Sequence, residues 1–121
     1  MLDRFDLSRA EWRVLAALGC NESMAAKDIG PYSALDKMQV SRAVARLEQE
    51  GLIRRVGDKA DGRAKIISLT PAGRTLYQRI VPLARAREAY LLEALEPNER
   101  EILRTAMDRL LARAESLVER G

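Results

Sequence analysis

The chain has 121 residues, of which 47% are hydrophobic, and a formal net charge of +3. This length predicts a single domain over residues 1–121 with a real core. The sequence has no histidine and one cysteine, Cys20. It therefore cannot form an intrachain disulfide, and it lacks the side chains that metal sites and Ser-His or Cys-His catalysis need. We expect no metal, no cofactor and no enzymatic activity, and we interpret Cys20 as an inert thiol because no second thiol could resolve an oxidised form.

Two further patterns concern membranes and export. No uninterrupted apolar run in the sequence approaches the ~20 residues that span a bilayer. The first residues also lack the basic-then-apolar order of a secretory signal. We therefore expect a soluble, cytoplasmic protein that has no membrane partner.

One helix is predicted from about Ser8 to Leu18, because Ser8 and Glu11 form a capping-box pattern ahead of a series of apolar residues. This helix is expected to end near Gly19. Trp12 is expected to pack in the core. The alternative is that Trp12 forms the wall of a ligand pocket, because an indole N–H needs a partner.

A helix-turn-helix is predicted next. A short helix from Met24 to Ile29 is followed by a turn over Gly30 to Ser33, and a longer helix starts at Asp36, which can form a capping box with Gln39. At ~100° per residue, an apolar stripe and an outer face separate along this helix. The stripe consists of Val40, Ala43, Val44 and Leu47, and the outer face of Met38, Arg42, Ala45, Arg46 and Gln49. Both charged residues of the outer face are arginines, whereas an ordinary solvated face mixes the two signs of charge.

A basic hairpin follows the helix. Gly51 is a natural helix end, Leu52 to Val56 have strand character, and Arg63 to Leu69 return as a second strand. The tip between the strands is expected to project as a polar finger, which suits a phosphate-lined groove. Its charged residues include Lys59, Asp61, Arg63 and Lys65. From Asp36 to Lys65 the chain has eight Lys or Arg and five Asp or Glu, so the excess of positive charge lies in this helix and hairpin, as expected of a phosphate-binding surface.

Two long helices are predicted after the hairpin. Thr70 and Pro71 provide a hydroxyl N-cap and a proline at the first helical position, and Pro82 is expected to kink the helix that they start. Pro97 starts the last helix, whose apolar residues cover a wide face: Leu103, Ala106, Met107, Leu110, Leu111, Ala114, Leu117 and Val118. Surplus apolar surface of this kind favours a symmetric homodimer. The alternative is that the two helices pack only on each other and on the preceding part of the chain.

Together these elements predict a mainly α (α+β) fold, with a winged helix-turn-helix over residues 8–70 and two long dimerisation helices over residues 71–121. Three stretches in this order, AEWRVLAALG, LDKMQVSRAVARLEQEGLIRR and DGRAKIISLTPAGR, resemble the MarR (multiple antibiotic resistance regulator) family of winged-helix transcription factors. The resemblance covers Leu7 to Leu117. Its most specific part is the wing pattern Asp61-x-Arg63 followed by Ser68-Leu69-Thr70-x-x-Gly73.

The resemblance implies a transcriptional repressor that binds a pseudo-palindromic operator in double-stranded DNA as a homodimer, with the recognition helix in the major groove and the wing at the minor groove. It places six recognition-helix residues at bases and phosphates: Lys37, Met38, Gln39, Ser41, Arg42 and Arg46. It matches Arg63 to the minor-groove arginine of the wing and Asp61 to the acid that orients it. The side chains agree with this chemistry, since Arg and Gln can contact base edges. We expect phosphate contacts from Arg54, Arg55 and Lys65.

Family members are usually released from DNA by small aromatic or phenolic acids, which implies a small-molecule pocket to which Trp12 and Leu76 contribute. They usually carry another helix before the one at Ser8, whereas seven residues precede Ser8 here, so we expect either a remade dimer interface or exposed apolar surface on the last helix. They also usually have Ser or Thr at the position of Glu96, so we expect the start of the last helix to fray. The alternative function is a winged-helix protein-interaction module without sequence-specific DNA binding.

Overall fold

A computed structural model of the chain describes residues 2–57 and 65–120. Within these ranges lie five α-helices, a 3₁₀ helix and a three-stranded sheet. Their bounds are 3₁₀ Leu2–Phe5, α1 Arg9–Asn21, β1 Ser23–Ala25, α2 Ala26–Ser33, α3 Lys37–Gln49, β2 Ile53–Gly57, β3 Lys65–Leu69, α4 Pro71–Leu92 and α5 Pro97–Arg120. The predicted winged helix followed by two long helices is confirmed. Across the described ranges, every helix is too short or too polar to cross a membrane.

The first helix begins where the sequence predicts but ends later. The Ser8 hydroxyl caps α1, as expected. The helix continues two residues past Gly19 to Asn21, whose side chain donates a hydrogen bond to the Ala17 carbonyl (2.8 Å). Gly19 has a different function: a Cβ at this position would overlap the ring of Tyr77. The glycine therefore allows α1 and α4 to approach closely.

The segment between the first and third helices also differs from the prediction. Met24 lies in β1, not in a helix, because this short strand pairs antiparallel with β3 and places Met24 opposite Ile67. The second helix runs through Pro31 to Ser33 and not to Ile29. It ends at Ala34, whose φ of 57° is left-handed. Pro31 lies inside this eight-residue helix, where it has no N–H to donate to the carbonyl four residues earlier.

The helix α3 forms as the sequence predicts. The Asp36 carboxylate accepts a hydrogen bond from the Gln39 backbone N–H (2.8 Å), and the Gln39 side chain accepts one from the Asp36 N–H (3.1 Å). Ala43, Val44 and Leu47 are buried on the inner stripe of α3. Past the C-cap, Gly51 takes a left-handed φ of 73°, a conformation that glycine adopts without penalty.

The sheet has the strand order β1-β3-β2, with both neighbouring pairs antiparallel. Opposite positions include Ile53 with Leu69 and Arg55 with Ile67. Ile53 and Ile67 are almost fully buried, so one face of the sheet closes the core. The predicted tip, with Lys59, Asp61 and Arg63, lies outside the described residues.

The start of α4 confirms the predicted cap. The Thr70 hydroxyl accepts a hydrogen bond from the Gly73 N–H (3.1 Å) and donates one to the Gly51 carbonyl (2.6 Å). Gly73 is required by close packing, since a Cβ there would collide with the backbone carbonyl of Leu52. The helix continues through Pro82, and the expected kink stays a prediction.

The chain divides into two compact units, Met1–Leu83 and Ala84–Gly121. The first unit contains the hydrophobic core, to which α1, α2, α3, both hairpin strands and α4 contribute. Its buried members are Leu7, Val14, Leu15, Leu18, Ile29, Ala43, Val44, Leu47, Ile53, Ile67, Leu69 and Ile80.

The second unit contains the end of α4 and all of α5. Pro97 opens α5, as predicted, and the Glu99 carboxylate accepts a hydrogen bond from the Glu96 N–H (2.8 Å). Arg100 Nε donates to the carbonyls of Leu92 (2.8 Å) and Leu95 (3.1 Å). The start of α5 is therefore held by the side chains of Glu99 and Arg100, which bond to backbone groups before Pro97, although a Ser or Thr cap is missing.

Candidate nucleic-acid interface

The outer side of α3 presents a group of polar and apolar side chains to solvent. Because the inner stripe is buried, the rotation of the helix about its axis is fixed, and the residues of the other side are left free. Met38 is 61% exposed although it is apolar. The structure brings together five of the predicted contact residues in the first half of α3, all exposed: Lys37, Met38, Gln39, Ser41 and Arg42.

Gln39 differs from its neighbours because its amide is already engaged. Its Oε1 accepts the Asp36 N–H in the capping box. A bidentate contact to adenine uses both the oxygen and the NH₂ group of the amide, so it would require this bond to break. Gln39 is therefore better placed to donate from its NH₂ group alone.

Arg46 lies on the same side of α3 but is paired with acids of the N-terminal segment. Its guanidinium donates to Glu11 Oε1 (2.6 Å) and to Asp6 Oδ2 (3.0 Å). The nearby Glu11 carboxylate, followed by Asp6, raises the pKa of Arg46, while partial burial opposes the change. Sequence reasoning missed this pairing, because Glu11 had an evident local role as a cap and a partner 35 residues away leaves no local signal.

The basic residues of the hairpin do not form one cluster. Side chains alternate between the faces of a strand, and the register places Arg55 and Lys65 on one face of the sheet and Arg54 on the other. All three are exposed. Arg55 Nε also lies 3.2 Å from Glu48 Oε1 of α3, so it links the hairpin to the recognition helix.

A groove of about 620 Å³ is lined by residues of α2, α3 and the hairpin. Val40, Val44 and Ile67 contribute apolar surface to it, and three cations line it: Lys27, Lys37 and Arg55. Sequence reasoning missed Lys27, because the incorrect bounds of the second helix gave no reason to place it beside Lys37. The structure thus adds one exposed cation to the predicted basic surface.

The predicted ligand residues lie away from this surface. Trp12 and Leu76 are both half-buried and pack against the core. The Trp12 ring centroid is 6.0 Å from that of Tyr77, with the rings tilted by 42°. The Tyr77 hydroxyl is in turn 3.5 Å from the Cys20 sulfur. The contribution of Trp12 and Leu76 to a ligand pocket stays a prediction.

Comparison with known proteins identifies the family. The sequence model of the MarR family matches residues 5–64. An HTH-type transcriptional regulator of Bacillus cereus is 30% identical over 110 residues, which cover 90% of this chain and 73% of that protein. The chain belongs to the MarR family. MarR-family proteins are transcriptional regulators, as the resemblance implied, and not enzymes.

Solved structures support the same assignment. The MarR-family fold of this chain is similar to that of a regulator from Silicibacter pomeroyi, with a TM-score of 0.79 and 30% identity over 93% of this chain and 75% of that one. It is also similar to BpsR of Bordetella bronchiseptica, with a TM-score of 0.78 and 29% identity over 86% of this chain and 79% of that one. The DNA binding of BpsR is regulated by 6-hydroxynicotinic acid.

Proposed function

We propose that this MarR-family chain is a repressor that binds a pseudo-palindromic operator as a homodimer, with α3 of each protomer in the major groove. The observation that carries the proposal is the division of α3 into two sides. Its inner stripe is buried and its N-terminus is capped, whereas the side with Lys37, Met38 and Arg42 is exposed. A helix held rigidly on one side can present the other to base edges without a large entropic cost on binding.

Each exposed residue has a distinct role in this proposal. Arg42 makes a bidentate contact to guanine, and Met38 contacts a thymine methyl group. Lys37, Ser41 and the NH₂ group of Gln39 donate to neighbouring bases or phosphates. The remaining basic residues position the duplex by contacting phosphates: Lys27, Arg54, Arg55 and Lys65.

The wing completes the contact with DNA. In the proposal, Arg63 enters the minor groove, whose negative potential attracts arginine where the groove is narrow. Asp61 orients the Arg63 side chain. The family resemblance is the support for this pair, because both residues lie outside the described part of the chain.

The dimer is supported by the surface of α5. Seven large apolar side chains of this helix are exposed, and the exposed fraction reaches 81% at Val118. An apolar surface of this extent marks an interaction site, and pairing with the same surface of a second copy would bury it symmetrically. The seven are Ile102, Leu103, Met107, Leu110, Leu111, Leu117 and Val118.

The proposal includes release of the operator by a small aromatic or phenolic acid. The half-buried Trp12 supplies an aromatic surface beside Leu76 and Tyr77, which suits an aromatic ring. The similarity to BpsR, which responds to 6-hydroxynicotinic acid, favours this chemical class. A panel of hydroxylated aromatic acids, each added to the protein–operator complex, would identify the effector.

The decisive experiment is selection of bound sequences from random double-stranded DNA, with the mass of the protein in solution measured alongside. An inverted repeat whose half-sites lie about one helical turn apart, bound by a dimer, is the expected result. Arg42→Ala should relax the preference at one base pair of each half-site, by about 1–3 kcal/mol. Arg13→Ala removes the same charge from an exposed position of α1 and should leave the selected sequence unchanged. Sequence-independent binding by a monomer would contradict the proposal and favour a protein-interaction module.

A further inference from the structure

The buried carboxylate of Glu11 accepts two hydrogen bonds, one from the N-cap of its own helix and one from the recognition helix. Glu11 is only 7% exposed, and a buried charge needs partners to offset its lost hydration. Its Oε1 atom accepts the Ser8 N–H (2.9 Å), which closes the capping box of α1, and also accepts a bond from Arg46 NH1 (2.6 Å). One oxygen therefore joins the first turn of α1 to the recognition helix.

Arg46 extends this connection to the segment before α1. Its NH1 group donates to the Asp6 carbonyl (3.2 Å) and its NH2 group to the Asp6 carboxylate (3.0 Å). Asp6 has a left-handed backbone with φ of 55°, and its carboxylate is almost fully exposed. A planar guanidinium can reach several acceptors at once, which an ammonium group cannot do in the same geometry.

We infer that Arg46 is a positioning residue, which fixes the orientation of α3 against α1 so that Arg42 is presented to DNA. The inference rests on the proposed function. Arg42 and Arg46 are four residues apart and therefore lie on the same side of the helix. The buried stripe sets the rotation of α3, and the bond from Arg46 to the buried Glu11 holds this side of the helix against α1, so that Arg42 keeps its direction.

A phosphate contact would be a different role for the same residue. As a phosphate contact, Arg46 acts alone, its loss lowers the salt dependence of binding, and its acidic partners weaken binding by competing for it. As a positioning residue, Arg46 acts through Glu11, so the loss of either partner has the same effect. The two roles make opposite predictions for a change at Glu11.

The test measures binding of the full chain to the operator obtained by selection and to random DNA, at several salt concentrations. The variants are Arg46→Ala, Glu11→Gln and the double variant. Glu11→Gln removes the charge but keeps an oxygen for the Ser8 N–H, since glutamine also serves in a capping box. We expect each single variant to lose about tenfold in operator affinity, with unchanged affinity for random DNA and an unchanged salt slope. The double variant should be no weaker than the singles.

Two further variants distinguish a loss of positioning from a loss of folding. Arg46→Lys keeps the positive charge but replaces the planar guanidinium with an ammonium group. It should therefore lose operator affinity while its affinity for random DNA is unchanged. Asp6→Asn tolerates the left-handed backbone and keeps its carbonyl. Because the Asp6 side chain is 95% exposed, this ion pair contributes little, and binding should change less than twofold. Thermal unfolding of each free variant identifies any that fail to fold.

Three results would overturn the inference. Wild-type or tighter operator binding by Glu11→Gln, combined with a salt slope lowered by ~1 in Arg46→Ala, would make Arg46 a phosphate contact. Additive losses in the double variant would show that the two residues act separately. Wild-type affinity of Arg46→Lys would show that a point charge suffices. If the wild-type chain selects no sequence, the proposed function fails as well, whereas a sequence-specific wild type with any of these three results overturns the positioning role alone.

Discussion

The two units of the chain differ in how far their apolar side chains are buried. In Met1–Leu83, apolar residues from helices and strands converge on one core, and several of them, such as Leu15 and Ile80, are fully buried. Among the described residues 84–118, none is buried. Leucine, isoleucine and valine are frequent in both units, so composition does not distinguish them. The first unit contains its own source of stability, whereas the apolar residues of the second remain available for an interaction.

The largest expected effect comes from placing a charge on the exposed apolar surface of α5. In Leu110→Asp, a carboxylate would have to be buried between two copies of the chain, which is costly for an unpaired charge. We expect a monomer, and a loss of about 100-fold in operator affinity because each half-site would bind independently. Mass measurement in solution and titration with operator DNA test both expectations.

The matched control for this change lies on the other side of the same helix. Ala112→Asp adds the same charge two residues further on, about 200° around the helix axis, at a position that is also exposed. It should remain a dimer with normal operator affinity. Dissociation of both variants, or of neither, would show that the apolar surface of α5 does not direct dimerisation.

A second prediction compares equivalent leucine truncations in the two units. Leu47 is 1% exposed and Leu117 is 67% exposed. Leu47→Ala should lower the free energy of unfolding by about 2–5 kcal/mol, because it removes buried surface and leaves a cavity. Leu117→Ala, measured under conditions in which the protein is monomeric, should change it by less than about 0.5 kcal/mol. Denaturant titrations at low protein concentration provide the comparison, and similar losses at both sites would contradict the contrast between the units.

A third prediction concerns the close contact at the start of α4. In Gly73→Ala, the added Cβ would collide with the Leu52 carbonyl, which is backbone and cannot turn aside as a side chain can. We expect the free energy of unfolding to fall by about 1–3 kcal/mol. Gly57→Ala is the control, since a Cβ there has no atom within 4 Å. Equal thermal stability of the two variants would show that Leu52 moves without cost.

The smallest predicted effect is at the cap of the recognition helix. Asp36→Ala removes the acceptor for the Gln39 N–H and should cost about 1 kcal/mol of stability. Asp36→Ser keeps an acceptor at this position and should recover most of the loss. Thermal unfolding of the two variants measures the difference, and a loss in Asp36→Ser as large as that in Asp36→Ala would exclude the cap as its cause.

The features predicted correctly from the sequence are those set by neighbouring residues. The caps at Ser8, Asp36 and Thr70 and the left-handed Gly51 each depend on a few adjacent positions, and all are confirmed. The spacing of the apolar residues likewise predicted which side of α3 is buried. These are local rules that require no knowledge of the tertiary structure.

The incorrect predictions depend on distant partners. α1 continues two residues past Gly19, and the glycine instead accommodates the ring of Tyr77, 58 positions later. Met24 is in a strand because it pairs with Ile67. The ion pair of Arg46 with Glu11 could likewise not be predicted, because the capping box already gives Glu11 a partner among its neighbouring residues. Tertiary contacts override local preference at these positions.

The hydroxyl of Thr70 has a consequence for the length of the wing. By bonding to the Gly51 carbonyl, and with the Thr70 N–H bonded to the Leu52 carbonyl (3.0 Å), it closes the base of the hairpin independently of its far end. Residues added between Gly57 and Lys65 would then increase only the entropy of loop closure, by about 0.6 kcal/mol for each doubling of length. The reach of the wing can thus change during evolution while the recognition helix keeps its place.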